Sequence, residues 1–236
     1  MSVFRFKQFN VAQDKCGMKI SSVACVFAAL IAPQKFTSLL DIGTGTGVLS
    51  LMIAQKNGAE IVAIEMDIAA ATQAKENFAN SKWHFRMTVE QANVIDWAEQ
   101  SEMKFDCLIC NPPFFKKQQQ SVDLQRNMAR HSEILDAHAL AKISTKLLHT
   151  EGKAHFLIAN GYETAYKAEF QAQGFCLLEH TEVFAHPNKN TAFCHILSFG
   201  KKHNDLITNC FYIQNEHLEM HSAYKELMRD YLIIFE

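Results

Sequence analysis

The chain reads as an α/β domain built on a mostly parallel sheet with helices on both faces, and three observations predict this. From residue 38 onward, short apolar runs alternate with segments of helical periodicity. A glycine turn, Gly43-Thr44-Gly45-Thr46-Gly47, joins the first of those runs directly to a helical pattern. Polar residues recur at the ends of successive runs, as Asp41, Glu65, Asn93 and Asn111. In open parallel sheets ligands sit at the carboxyl ends of strands, so these four are candidates for a site.

Residues before about position 13 read as an arm, with 1–20 as an amino-terminal arm overall, and Val23, Val26, Phe27, Leu30 and Ile31 then predict a helix ended by Pro33. A strand over 38–42 enters the glycine turn, and a helix begins at Val48. Strands over 60–65, 84–89 and 105–110 follow, separated by a helix over 68–78 and the segment 92–96. Beyond a polar stretch, a helix near 137–148, a strand over 153–159 and a helix over 163–173 continue the alternation. The runs 175–184 and 192–199 are joined at His186-Pro187-Asn188, too tightly for a parallel return, and so predict an antiparallel carboxyl-terminal hairpin. Segments 206–213 and 222–232 read as a strand-like run and a short amphipathic helix, within an extension over 206–236.

The glycine spacing is G-x-G-x-G rather than the dinucleotide pattern, because Val48 stands where the last glycine would be. Glycines let backbone approach a ligand closely, and Asp41 can orient the loop or bind an ammonium through water. Glu65 lies about 20 residues past the turn, the spacing at which an acid chelates ribose hydroxyls in such folds. Asn93 is placed to read an adenine through its amide.

Asn111-Pro112-Pro113-Phe114 follows the buried-strand pattern of 105–110. Pro112 has no N–H and both prolines fix φ, so Asn111 and the following carbonyls form a small cluster of acceptors. With Phe114 as a stacking face, the arrangement suits an exocyclic amine on an unpaired base. A plain strand-ending turn is the bland alternative for this motif alone.

Length and composition narrow the field. At 236 residues with 48% apolar content, the chain supports one domain with a substantial core. No apolar run approaches the ~20 residues of a membrane span, and no signal pattern opens the sequence, so a cytoplasmic protein is expected. Seven scattered cysteines fit a reducing compartment. Cys107 and Cys110 have redox-pair spacing, but positions three apart on a strand face opposite ways. Eleven histidines lie dispersed without ligand spacing, so no metal is expected. Net charge is −2, and any nucleic-acid contact must come from local patches.

The glycine loop, the ordered acids and amides, and Asn-Pro-Pro-Phe together resemble the class I S-adenosylmethionine-dependent methyltransferases that act on planar amines. A closer resemblance, to the tRNA(Val) adenine-N6 methyltransferase family, covers nearly the whole length. It is carried by Phe4-Arg5-Phe6-Lys7-Gln8-Phe9, Asp14-Lys15-Cys16-Gly17-Met18-Lys19, Gln125-Arg126, Ala129-Arg130-His131, and Tyr224, Leu227 and Tyr231-Leu232. It implies a Rossmann-like seven-stranded sheet, S-adenosyl-L-methionine as cofactor and tRNA as partner, with methylation 3′ of the anticodon and no membrane; the oligomeric state stays open, with a monomer slightly favoured.

The site residues it implies are Asn111, Pro112, Pro113 and Phe114 for catalysis. Asp41, Gly43, Gly45, Gly47, Glu65, Met66, Asn93, Val94 and Asn111 would hold the cofactor. Arg5, Lys7, Lys15, Lys19, Lys116, Lys117, Arg126 and Arg130 would hold RNA. The polar stretch 116–130 would be a mobile loop that orders on RNA. Ser22-Val23 stands where relatives usually have Thr-Asp, removing a carboxylate from the amino-terminal wall of the pocket, and Asn93 stands where they have Asp. Guanine-N2 and protein glutamine-N5 methylation share the motif's amine chemistry, and a non-catalytic RNA-binding domain of the same fold is the alternative outside enzymes.

Overall fold

A computed structural model describes residues 2–112 and 135–235. The expected catalytic residues Pro113 and Phe114, the loop 116–130 with Lys116, Lys117, Arg126 and Arg130, and His131 lie outside the described residues.

The strands β1 (Val3–Arg5) and β2 (Asn10–Ala12) form a small antiparallel hairpin. Then follow α1 (Ser22–Ile31), β3 (Ser38–Ile42), α2 (Val48–Lys56), β4 (Glu60–Glu65), α3 (Ile68–Ala79), β5 (Met87–Gln91), α4 (Val94–Gln100) and β6 (Phe105–Cys110). The second half comprises α5 (Ala137–Leu147), β7 (Leu148–Ala159), α6 (Glu163–Ala172), β8 (Cys176–Phe184), β9 (Cys194–Gly200), β10 (Ile207–Tyr212) and α7 (Ser222–Met228). Among the described residues, no helix is long and apolar enough to cross a membrane.

The main sheet runs β10-β8-β9-β7-β6-β3-β4-β5. Only β9 opposes its neighbours, pairing antiparallel with β7 and β8, which is the expected hairpin. The sheet has eight strands rather than the expected seven, because the strand-like run near 206–213 pairs parallel with β8 as an edge strand.

Side chains alternate between two cores. Leu39, Cys107 and Ile109 face the layer of α1, α2 and α3. Leu40, Ile42, Leu108 and Cys110 face α4, α5 and α6. Cys107 and Cys110 therefore stand on opposite faces, and burial raises both thiols far above the ordinary range, which removes the redox reading.

The amino-terminal segment is not a free arm. Phe6, Phe9 and Val11 are buried in the first core, the Phe6 and Phe9 rings stack at 4.4 Å, and Phe9 meets Trp83 edge-on at 5.8 Å. The Lys7 N–H donates to the Tyr231 carbonyl at 2.8 Å, and Phe6 bridges to Leu232, so the segment after α7 closes over the hairpin. Phe6 and Phe9, which help carry the family resemblance, are packing residues.

Candidate active site

Strand order reverses at β3. From it the chain winds through β4 and β5 on one side, and β6 returns on the other, with Ile42 paired to Cys110. Such a reversal opens a crevice past the strand ends. A cavity of about 630 Å³ lies there, bounded by Gly43, Gly45, Glu65, Met66, Asn93, Val94, Asn111 and Pro112 of the expected set. Ile42, Ile64, Ile95 and Leu135 supply its apolar wall, and Lys15 to Met18 form a lip. A larger hollow of about 1050 Å³, walled by Pro33, Thr37, Asp106 and Lys153, holds none of the expected residues. Size alone does not mark the site.

The glycine loop turns through left-handed backbone, with φ of 69° at Gly43, 56° at Gly45 and 80° at Gly47. A Cβ at Gly43 or Gly45 would meet no protein atom within 4 Å, so these two leave space for a ligand. Gly47 differs: a Cβ there would come within 2.5 Å of the Phe78 ring, and it sits at the cap of α2 away from the cavity. Its lack of a Cβ makes room for the Phe78 ring.

Asp41 is likewise not in the cavity wall. It is fully buried, and one carboxylate oxygen accepts from Thr44 Oγ1 at 2.6 Å and Ser50 Oγ at 2.7 Å. Its other oxygen has no partner among the described residues. Burial pushes its pKa up to about 6, against the lowering effect of the two hydroxyls. Asp41 braces the loop from below.

Glu65 bounds the cavity at the end of β4. Its Oε2 accepts from the Gly45 N–H and its Oε1 from the Asp67 N–H, both at 2.9 Å. One carboxylate thus fixes the glycine loop and the start of α3. Asn93 caps α4, its Oδ1 accepting from the Ile95 N–H at 2.9 Å. Asn111 follows β6 directly, and its buried Oδ1 has no partner among the described residues. Buried polar atoms are almost always bonded, so an orphan acceptor in a cavity marks a place for a donor.

Sequence comparison converges on the same chemistry. The family description Methyltransferase small domain matches residues 18–154. The tRNA1(Val) (adenine(37)-N6)-methyltransferase of Cytophaga hutchinsonii is 32% identical, with 98% of each chain covered. That of Dyadobacter fermentans is 35% identical, again over 98% of each. The chain belongs to this methyltransferase family. Its fold is shared more widely: a predicted O-methyltransferase from Agrobacterium tumefaciens superposes with a TM-score of 0.69 at 16% identity, covering 86% of this chain and 94% of its own. The glycopeptide N-methyltransferase MtfA gives 0.57 at 14%, covering 79% and 93%.

Within the methyltransferase, the expected basic residues separate. Lys15 lines the cavity and pairs with Glu76 at 2.8 Å, while Lys19 Nζ donates to the Gln13 carbonyl at 2.6 Å. Lys7 instead bonds the Phe235 carbonyl, and Arg5 is exposed on the hairpin. Ser22 and Val23 lie in the first turn of α1 and do not line the cavity.

Sequence reasoning missed two residues of α3. Gln73 and Asn77 are buried, one turn apart. Gln73 accepts from the Lys15 N–H and donates to Asp14, while Asn77 exchanges two hydrogen bonds with Ala12 and donates to the Thr46 carbonyl. They tie the cavity lip and the glycine loop to one helix. Polar residues at i and i+4 among Ala70, Ala71, Ala74 and Phe78 were the available signal.

Proposed function

We propose that this chain methylates N6 of adenine in tRNA1(Val), at the position 37 in its relatives' names, with S-adenosyl-L-methionine as donor. The observation that carries the reading is the unpartnered Asn111 oxygen at the end of β6. An amine with two N–H groups needs acceptors, and this one is already desolvated and fixed.

The cofactor, when bound, supplies an electrophilic methyl group on its sulfonium. A cavity of about 630 Å³ is the right size for a nucleoside-sized ligand. Gly43 and Gly45 admit its amino-acid end. Glu65, each oxygen already anchored by one backbone N–H, keeps outer lone pairs for ribose hydroxyls. The reading of Asn93 changes in one respect. Its oxygen already accepts one bond in the α4 cap, which leaves one lone pair and the Nδ2 hydrogens for the adenine edge. Ile64, Val94 and Ile95 flank that ring.

At the acceptor end, the lone pair of adenine N6 is delocalised into the ring. The Asn111 side-chain oxygen and the Pro112 carbonyl would each accept one N–H of the amine, favouring a pyramidal nitrogen with its lone pair free to take a methyl group. Alignment of this kind removes about 7–11 kcal/mol from the barrier in well-oriented systems. The proton leaves after transfer, from an already cationic nitrogen, and no general base is required beforehand. Seven free cysteines accord with a cytoplasmic setting.

Asn111→Ala is expected to keep the fold and cofactor binding while turnover falls on the order of 10²-fold or more, the loss seen when one preorganised hydrogen bond to a reacting group is removed. Parent-level turnover would remove Asn111 from the chemistry. The substrate is tested with labelled cofactor and total RNA from a strain lacking the protein, followed by nucleoside mapping. N6-methyladenosine in tRNA1(Val) is the expected product, and label confined to protein would refute an RNA substrate.

A further inference from the structure

Histidines that look scattered in the sequence are gathered by the β8–β9 pairing. His180 and Glu182 lie two apart on β8 and so share a face, and Glu182 pairs directly with His195 of β9. His180 Nε2 and His195 Nδ1 stand 3.0 Å apart. One ligand atom from each of His180, Glu182 and His195 lies within 4.8 Å of the other two.

The far side of His195 fixes its tautomer. Its Nε2 faces two acceptors, the Glu163 carboxylate and Asn160 Oδ1 at 3.2 Å. Nε2 must therefore carry the proton, which leaves a lone pair on Nδ1 aimed at His180. A carboxylate holding the outer N–H of an imidazole is the usual support of a metal-ligating histidine. Burial also disfavours the protonated form of both rings, against the raising influence of Glu163 and Glu182. Across the next strand pair, Cys210 of β10 stands opposite Glu182, its Sγ 4.0 Å from Oε2.

We propose that His180, Glu182 and His195 form a binding site for a zinc-class divalent ion, with Glu163 as the outer support of His195 and water or the Cys210 thiolate in the fourth position. Two imidazoles and a carboxylate suit a borderline ion such as Zn(II) and disfavour Mg(II), which takes oxygen ligands. Zn–N bonds of about 2.0–2.1 Å at a tetrahedral angle set two nitrogens about 3.3–3.4 Å apart, so the ion takes the place of the hydrogen bond between the rings. His180 moves its proton to Nδ1, the pair opens by a few tenths of an ångström, and a side-chain rotation brings Glu182 in. Such an ion would tie β8 to β9, and through Cys210 to the edge strand β10, without touching the methyl-transfer cavity.

The test uses the full chain, stripped with chelator, titrated with Zn(II) against a chromophoric competitor and, separately, with Co(II) read by its visible d–d bands. One equivalent of Zn(II) is expected, with tetrahedral-type Co(II) bands and no competition from Mg(II). At 100 times Kd, Zn(II) should raise Tm by about 5–10 °C. His180→Asn and Glu182→Gln, both at half-exposed positions, should melt cooperatively without metal and lose the Zn(II)-induced shift. Glu163→Gln should weaken binding about 10- to 100-fold. Absence of saturable binding to the parent overturns the proposal, and so does undiminished binding in the His180→Asn/Glu182→Gln double variant.

Discussion

Glu65 both braces the local fold and borders the cavity. Its two oxygens hold the Gly45 and Asp67 amides, so the geometry that would receive a ribose is set before any ligand arrives. Glu65→Ala is expected to lower cofactor affinity at least about tenfold, because it deletes two charge-assisted bonds to the loop as well as the ligand contacts. Calorimetric titration with S-adenosylmethionine checks this, and an unchanged Kd would remove Glu65 from the site. Glu65 and Asn111 were legible in the sequence because each ends an apolar run. The loop-orienting role of Asp41 was legible as one of two readings, whereas the capping role of Asn93 was not. Which oxygen of a polar side chain is taken by a neighbouring hydroxyl or helix cap depends on contacts that strand patterns do not encode.

At the scale of elements, the turn from β3 into α2 depends on three glycines with different jobs. Gly43 and Gly45 border open space, whereas Gly47 combines a φ of 80° with a Phe78 ring 2.5 Å from where a Cβ would stand. Gly47→Ala should therefore cost about 2–5 kcal/mol, from left-handed strain and overpacking together. For a chain of this size that lowers Tm by about 4–20 °C, measurable by calorimetry. A Tm within 1 °C of the parent would show that the turn relaxes freely. Elements with strong periodicity, such as β3, α3 and β6, matched expectation closely. The amino-terminal hairpin did not, because three-residue strands carry too little pattern to separate a packed ribbon from an arm. The edge strand β10 is exposed along most of its length, so it lacks the apolar alternation that marks a paired strand.

For the molecule as a whole, two buried groups set opposing dependences of stability on pH. The Asp41 pKa is raised from 3.8 to about 6 by burial, so the stability tied to its proton is full below about 4 and is lost as pH rises through 6. His155, buried beside Ser198, has its pKa lowered from 6.5 to about 3. Its contribution is full above 6.5 and is lost as pH falls towards 3. Between about pH 4 and 6 the two partly cancel. Asp41→Asn should unmask the histidine, so that unfolding free energy climbs more steeply with pH than in the parent. The gap between them should change by about 3 kcal/mol across that window. Urea denaturation at a series of pH values reads it directly, and a constant gap would refute a raised Asp41 pKa. The alternation of strands and helices made the parallel sheet legible at this scale. The meeting of His180 with His195 was not, since hairpin register, not sequence spacing, brings them together.

The contact between Phe6 and the Leu232 segment also orders events during synthesis. The phenyl rings at positions 6 and 9 are made more than two hundred residues before the backbone that covers them. Until then a nascent chain presents an unshielded aromatic ribbon, the kind of surface that chaperones bind and that promotes association between unfinished copies.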